Sequence, residues 1–177
     1  MDGCTSDNQI SSVEFWDSKS FFLAEINRLN QQKIGLSKEL VFNETFQKME
    51  LKKVTWDKEL NIFVELDLKR NGYKGRFDID TLRINDTTNK VSYKANDAKL
   101  DLREVSLVYN SHTNKVISVE AIYNERSTIY NASKKYDYIV NEQFKIEGKQ
   151  EVKFGKNATY SIIGTMLLPI LNQRPQP

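Results

Sequence analysis

Disulfide stabilisation is closed to this chain, because it holds a single cysteine, Cys4, and one thiol forms no internal bridge. That excludes a stapled secreted miniprotein. Histidine is equally sparse: His112 stands alone in "YNSHTNK", a polar stretch that reads as a hairpin turn. Nucleophilic triads and most zinc sites need a histidine held by a rigid shell, so His112 is expected to be a solvated turn residue, with no catalytic or metal role. With only 7 glycines in 177 residues, there is no Gly-rich phosphate cradle of the Walker or dinucleotide type and no G-x-S-x-G elbow. Nucleotide and acyl-transfer enzymes lose their usual supports. All 3 prolines fall in the closing "LLPILNQRPQP", which is expected to leave the sheet and fray. No run approaches the roughly 18 apolar residues of a membrane span. The 26 basic and 24 acidic side chains leave a net charge of +2, too weak a field to imply nucleic acid as a partner.

What remains suits one folded domain. The length can bury a single core, and 8 tyrosines and 9 phenylalanines favour strands and helices over disorder. We read residues 1–10 as a flexible tether, 11–168 as one α+β domain and 169–177 as a tail. Cys4 sits before the polar run Thr5, Ser6, Asp7, Asn8, Gln9. This is the arrangement of a processed bacterial lipoprotein, in which a lipid-bearing cysteine precedes a tether. The alternative is an incidental exposed cysteine. Asp2 departs from the small residues usual upstream of a lipidated cysteine, and no basic-then-apolar signal segment precedes Cys4. The Asn-x-Ser/Thr triplets at Asn43, Asn85, Asn131 and Asn157 read as chance matches in an Asn-rich chain.

Periodicity sets the architecture. Ser11 and Glu14 form a capping box, Ile10 and Phe15 a hydrophobic staple, and Phe15, Phe22, Ile26 and Leu29 share a face with Trp16 and Leu23 beside it. With Gly35 as a left-handed stop, this predicts a helix of about 22 residues. Leu40 and Phe42 begin a strand, Asn43 to Thr45 turn it, and Phe46 to Val54 return. Thr55 then caps a short helix in "TWDKELNIFVEL", with Trp56, Leu60, Phe63 and Val64 on one face, ended by Asn71-Gly72. Beyond it the period is two: Tyr73, Gly75, Phe77 and Ile79 alternate with charged residues, and further alternating runs follow to Ile162. The parity jump between Leu102 and Val105 predicts a bulge. The expected fold is a long N-terminal helix packed on a curved antiparallel sheet of about eight strands, open to comparison with a half-barrel.

Three phrases carry a family resemblance: "TWDKELNIFVELDL" through Trp56, Glu59, Leu60 and Phe63; "NERSTIY" through Asn124, Ile129 and Tyr130; and "YSIIG" through Tyr160, Ile162 and Gly164. Across roughly Phe21 to Gly164 the chain resembles envelope lipoproteins of Bacteroidetes-type bacteria. That resemblance implies a lipid-anchored cysteine at Cys4 and a periplasmic or outer-membrane location, and it brings no known reaction. The "MDG" before Cys4 departs from it.

Candidate sites follow from residue chemistry. Tyr93, Tyr109, Tyr123, Tyr136, Tyr138 and Tyr160 share the parity of the apolar face, and a row of tyrosines suits a concave surface meeting a ligand at its rim. Tyr93, Tyr109 and Tyr138 are taken as the ligand-binding set, with core filling as the alternative. Lys69, Arg70, Lys74 and Arg76 surround Asn71-Gly72 and could grip an anion, or simply keep a turn wet. Asp78 with Asp80, and Asp97 with Asp101, could serve a hydrolase acting on envelope or glycan material, but read more simply as solvated strand faces. No EF-hand spacing is present, and neither a metal nor a cofactor is expected. The leading function is a non-enzymatic, lipid-anchored envelope protein that binds an apolar small molecule or an envelope partner and touches the membrane only through its anchor. The alternatives are the carboxylate hydrolase and a purely structural component.

Overall fold

The structure is a computed structural model and describes residues 15–168. Its first helix, α1 (Ser18–Gln31), is set by Asp17, whose side chain accepts from the Ser20 amide at 2.9 Å and so satisfies one of the open donors of the first turn. The helix is therefore 14 residues long, shorter than the sequence pattern predicted, and Phe15 and Trp16 precede it. The Ser11–Glu14 capping box lies outside the described residues. Within the helix the apolar stripe holds, with Phe22, Ile26 and Leu29 all buried. At its far end Lys33 rather than Gly35 takes the left-handed backbone, with φ 52°, and Gly35 already opens the first strand.

That strand, β1 (Gly35–Phe42), forms a hairpin with β2 (Thr45–Leu51) through Asn43, whose φ of 51° is one that asparagine tolerates. Helix α2 (Trp56–Val64) buries Trp56, Leu60 and Phe63, the face set by their four and three spacing. It closes at Val64, ahead of Asn71-Gly72. Asn71–Tyr73 is a single 3₁₀ turn, so Tyr73 belongs to a turn and the next strand begins at Phe77.

Seven strands follow: β3 (Phe77–Asn85), β4 (Thr88–Ala95), β5 (Leu102–Asn110), β6 (Val116–Arg126), β7 (Tyr130–Ile139), β8 (Gln143–Val152) and β9 (Ala158–Leu167). All nine strands pair antiparallel in one sheet of order β2-β1-β9-β8-β7-β6-β5-β4-β3. The count is nine rather than about eight, and the sheet does not close, because β2 and β3 remain its two edges. The predicted bulge is present as a register shift between Leu102 and Glu104. The early hairpin joins the meander only through β1 and β9, with Gly35 opposite Leu167 and Phe42 opposite Tyr160.

Both helices cover one face of this sheet, which makes the fold α+β. Val105, Val119, Ala121, Tyr138 and Phe144 point inward from successive strands and are buried. Phe22 lies across them, its ring 5.1 Å from Phe63 and 5.2 Å from Tyr138 between centroids. Burying a side chain of this size contributes about 1.5–3 kcal/mol, so these rings fasten the helices to the sheet. Polar ties fix their orientation. Trp56 Nε1 donates to the Ile34 carbonyl at 3.1 Å, Ser18 Oγ donates to the Leu66 carbonyl at 2.9 Å, and the buried Glu25 carboxylate accepts from Tyr138 Oη at 2.7 Å and from Arg28 at 2.8 and 2.9 Å. The helices do not reach the whole inner face. The turns β1–β2, β4–β5, β6–β7 and β8–β9 all lie along one rim of the sheet, and near that rim the face is open.

Candidate functional site

The open part of the inner face forms a cleft of about 200 Å³ past the end of α2. Its floor is sheet: Leu102 from β5, Tyr123 from β6, and Lys134 and Tyr136 from β7. Its wall is Ile62, Glu65 and Leu66 at the end of α2, then Arg70 and Tyr73. The sequence places each group for a local reason. Lys134 stands directly across from Tyr123 in the β6–β7 register, and period two puts it in phase with Tyr136 and Tyr138. Its ammonium lies 5.4 Å from the centre of the Tyr123 ring, a cation–π distance. Arg70 reaches the cleft because α2 has already ended and the chain turns through Asn71–Tyr73.

The electrostatics favour an anion. Arg70 and Lys134 line the cleft, and neither forms an ion pair among the described residues, while Glu65 is the carboxylate lining it. The Glu65 side chain accepts from Asn61 at 3.0 Å. Burial, and then the Asp101 carboxylate to which its hydroxyl donates at 3.3 Å, push the Tyr123 phenol up to about 12. Burial pushes the Tyr136 phenol up as well. Both therefore stay protonated at neutral pH; the Tyr123 O–H is committed to Asp101, and the Tyr136 O–H stands beside the two cations. A cluster of this kind can hold a carboxylate or phosphate head while Leu66, Leu102 and the tyrosine rings take an apolar body.

Of the six tyrosines in the row read from the sequence, Tyr123 and Tyr136 line the cleft, and the three taken as the ligand-binding set lie elsewhere. Tyr138 is fully buried beneath α1 and bonded to Glu25, and Tyr93 is buried, its hydroxyl accepting from the Trp16 amide at 3.2 Å. Tyr109 is half-buried and accepts from Asn89 at 3.4 Å. None of the three lines the cleft; Tyr73, Tyr123 and Tyr136 do. The four cations around Asn71-Gly72 are likewise divided. Lys69 pairs with Asp17 at 3.2 Å, and Arg76 with Asp97. Lys74 lines a separate depression with Phe15 and Leu68, into which Arg70 also reaches. Cys4 lies outside the described residues.

The carboxylates do not gather. Asp78 and Asp80 are exposed on β3, with Asp78 accepting from Asn96 at 3.0 Å, while Asp97 is bonded to Arg76 and Asp101 to Tyr123. Among the described residues no group of three or more histidine, cysteine or carboxylate side chains could hold a metal ion. A larger hollow of about 630 Å³ beside Leu51, Met166 and Leu168 borders the last described residue, so its outline is that of the described residues alone. No helix among the described residues is long and apolar enough to cross a membrane. No family model, curated protein or solved structure matches this chain.

Proposed function

We propose that this chain is a non-enzymatic, lipid-anchored protein of the bacterial cell envelope that binds a small amphiphile through the cleft at the end of α2. The observation that carries this reading is the convergence of Arg70 and Lys134 with Tyr73, Tyr123 and Tyr136 around one opening. The ligand class follows from it: a short apolar body with a carboxylate or phosphate head. Size agrees, since about 200 Å³ is below the 300–1,000 Å³ typical of sites for drug-sized ligands. The half-barrel comparison remains part of this proposal, supported by a sheet that does not close and by the cleft past the end of α2. A carboxylate hydrolase would need two acidic groups facing one cleft, and this one offers Glu65.

Calorimetric titration with octanoate, and with octanol as its uncharged counterpart, tests the site. Octanoate should bind saturably, octanol much more weakly, and Arg70→Met or Lys134→Met should reduce octanoate binding without lowering thermal stability. Equal binding of the two ligands, or octanoate binding indifferent to both substitutions, refutes the assignment. The anchor has its own test. Cells expressing the gene with its natural upstream region are fed a fatty-acid analogue, and label should appear on the protein and vanish in Cys4→Ser. Label that survives the substitution, or none at all, removes the lipoprotein reading.

A further inference from the structure

We infer that the turn rim of the sheet is a second membrane contact, in which Phe46, Ile129 and Phe154 enter the interfacial layer of a bilayer and Lys153 and Lys156 meet lipid phosphates. The sheet register brings these residues together. Phe42 and Phe46 flank the β1–β2 turn, Asn43 bonds across to Thr159 at the start of β9, and the Lys153 amide donates to the Ile129 carbonyl at 3.0 Å. Three separate turns thus present apolar side chains along one edge, over about 19 Å from β2 to β7 at about 4.8 Å per strand.

Each is exposed: Phe42 by 51%, Phe46 by 59%, Ile129 by 61% and Phe154 by 92%. Hairpin turns are ordinarily built from polar residues, and apolar groups clustered in this way mark an interaction surface. The shape selects the partner. These are protruding tips rather than a groove or a flat patch, and a phenylalanine standing clear of the fold inserts into a soft layer more readily than it matches a rigid surface. Charge agrees with shape. The sequence of the β8–β9 turn, Lys153-Phe154-Gly155-Lys156, places an apolar wedge between two exposed cations, the pairing that suits acyl chains beneath a phosphate layer. Glu151 is matched by Lys149 at 2.6 Å. Of the remaining acids, Glu44 lies on the β1–β2 turn, and Glu125 at the end of β6 accepts from Tyr130 and is flanked by Arg126. The near-neutral whole-chain charge conceals this local bias.

The path of the chain fits as well. Phe15, the first described residue, packs on Phe77, the first residue of β3, at this same end of the sheet. The choice of a bacterial membrane rests on the envelope reading above; the exposed rim does not.

The experiment uses the full chain as Cys4→Ser, which removes both the lipid site and the sole native thiol, so its result is independent of whether Cys4 is lipidated. A polarity-sensitive fluorophore is attached through Phe154→Cys or, as a control on the opposite rim, through Thr113→Cys. Vesicles of phosphatidylethanolamine and phosphatidylglycerol are then added. Emission from position 154 should shift to the blue and that from 113 should not. In co-sedimentation, Phe46→Ser and Phe154→Ser should each weaken binding roughly tenfold, as expected for losing a buried phenylalanine, with unchanged unfolding midpoints. An unshifted probe at 154, binding indifferent to both serine substitutions, or a vesicle-free dimer that Phe154→Ser dissolves would overturn the inference, the last by naming a second copy as the occupant.

Discussion

Removing one oxygen atom tests how the first helix is held. Tyr138→Phe keeps the ring that packs 5.2 Å from Phe22 but deletes the hydroxyl that donates to the Glu25 carboxylate at 2.7 Å. Both groups are buried, and they join residues 113 apart in the chain. A hydrogen bond to a charged group contributes about 1.5–3 kcal/mol, and Glu25 retains Arg28 as a partner. The loss at neutral pH should therefore be about 2 kcal/mol. With a urea slope of about 2 kcal/mol/M, the midpoint falls by about 1 M. Burial pushes the Glu25 carboxyl up, but its hydrogen bonds to Arg28 and Tyr138 outweigh this and hold it below its ordinary value. A carboxyl depressed in the folded state contributes stability above its unfolded value, about 4.3, and loses it as pH falls through the folded one. The substitution raises the folded value, so the deficit should be largest above about pH 5 and shrink toward about pH 3. Urea titrations of both proteins at the two pH values decide the matter. A deficit below about 0.5 kcal/mol, or one of equal size at both pH values, refutes the charged tie.

Three further outcomes are expected from the same assay. Phe22→Ala leaves a cavity among Phe63, Phe21 and Tyr138 and should cost about 3–5 kcal/mol, whereas exposed Asn27→Ala should stay within about 0.5 kcal/mol; equal midpoints would overturn the packing of α1 on the sheet. A Cβ at Gly164 would strike the buried Phe144 ring, and one at Gly148 the partly exposed Tyr160 ring. Gly164→Ala should accordingly cost about 1–3 kcal/mol and Gly148→Ala less, because Tyr160 can swing aside, and the reverse order would contradict the structure. His112 is exposed in the β5–β6 turn, where its backbone amide donates to Asn110 Oδ1 at 3.0 Å; His112→Ala should leave stability within about 0.5 kcal/mol, and a larger loss would give that imidazole a structural part.

Local pattern carried most of the architecture. The buried α2 residues Trp56, Leu60 and Phe63, the strand parities from Phe77 onward and the bulge near Leu102 all depend on residues a few positions apart and stand where periodicity put them, whereas Tyr73 and Gly75 precede the strand expected of them. The start of α1 is an instructive failure: Asp17-Ser-Lys-Ser20 is as good a cap as Ser11–Glu14, and choosing between two adjacent caps requires knowing where Phe15 packs, which is against Tyr93 and Phe77. The cleft was harder to read. Parity tells which face a tyrosine shares, but not whether a helix lies over it, so Tyr138 and Tyr123 look alike in sequence although one sits beneath α1 and the other beyond α2. The cations near Asn71-Gly72 were divided by carboxylates distant in the chain, Asp17 and Asp97, 52 and 21 residues away. One signal was available: Lys134 falls in phase with Tyr136 and Tyr138, and a lysine on an apolar face asks what it is there to meet.

The pairing of β1 with β9 has a kinetic meaning. A hairpin made early in synthesis finds its only neighbour in the sheet when residues 158–167 have been made, and α1 must likewise wait for Tyr138. Until then Phe22 has only α2 to pack on, through Phe63, and the sheet side of this core is missing. Contacts of such long sequence separation are slow to form, because the loop must close before it is rewarded. Closure of the core over the first hairpin is thus expected to be a late step in folding. A truncation that removes β9 should release the first hairpin and leave the remaining meander with a new, unprotected edge at β8.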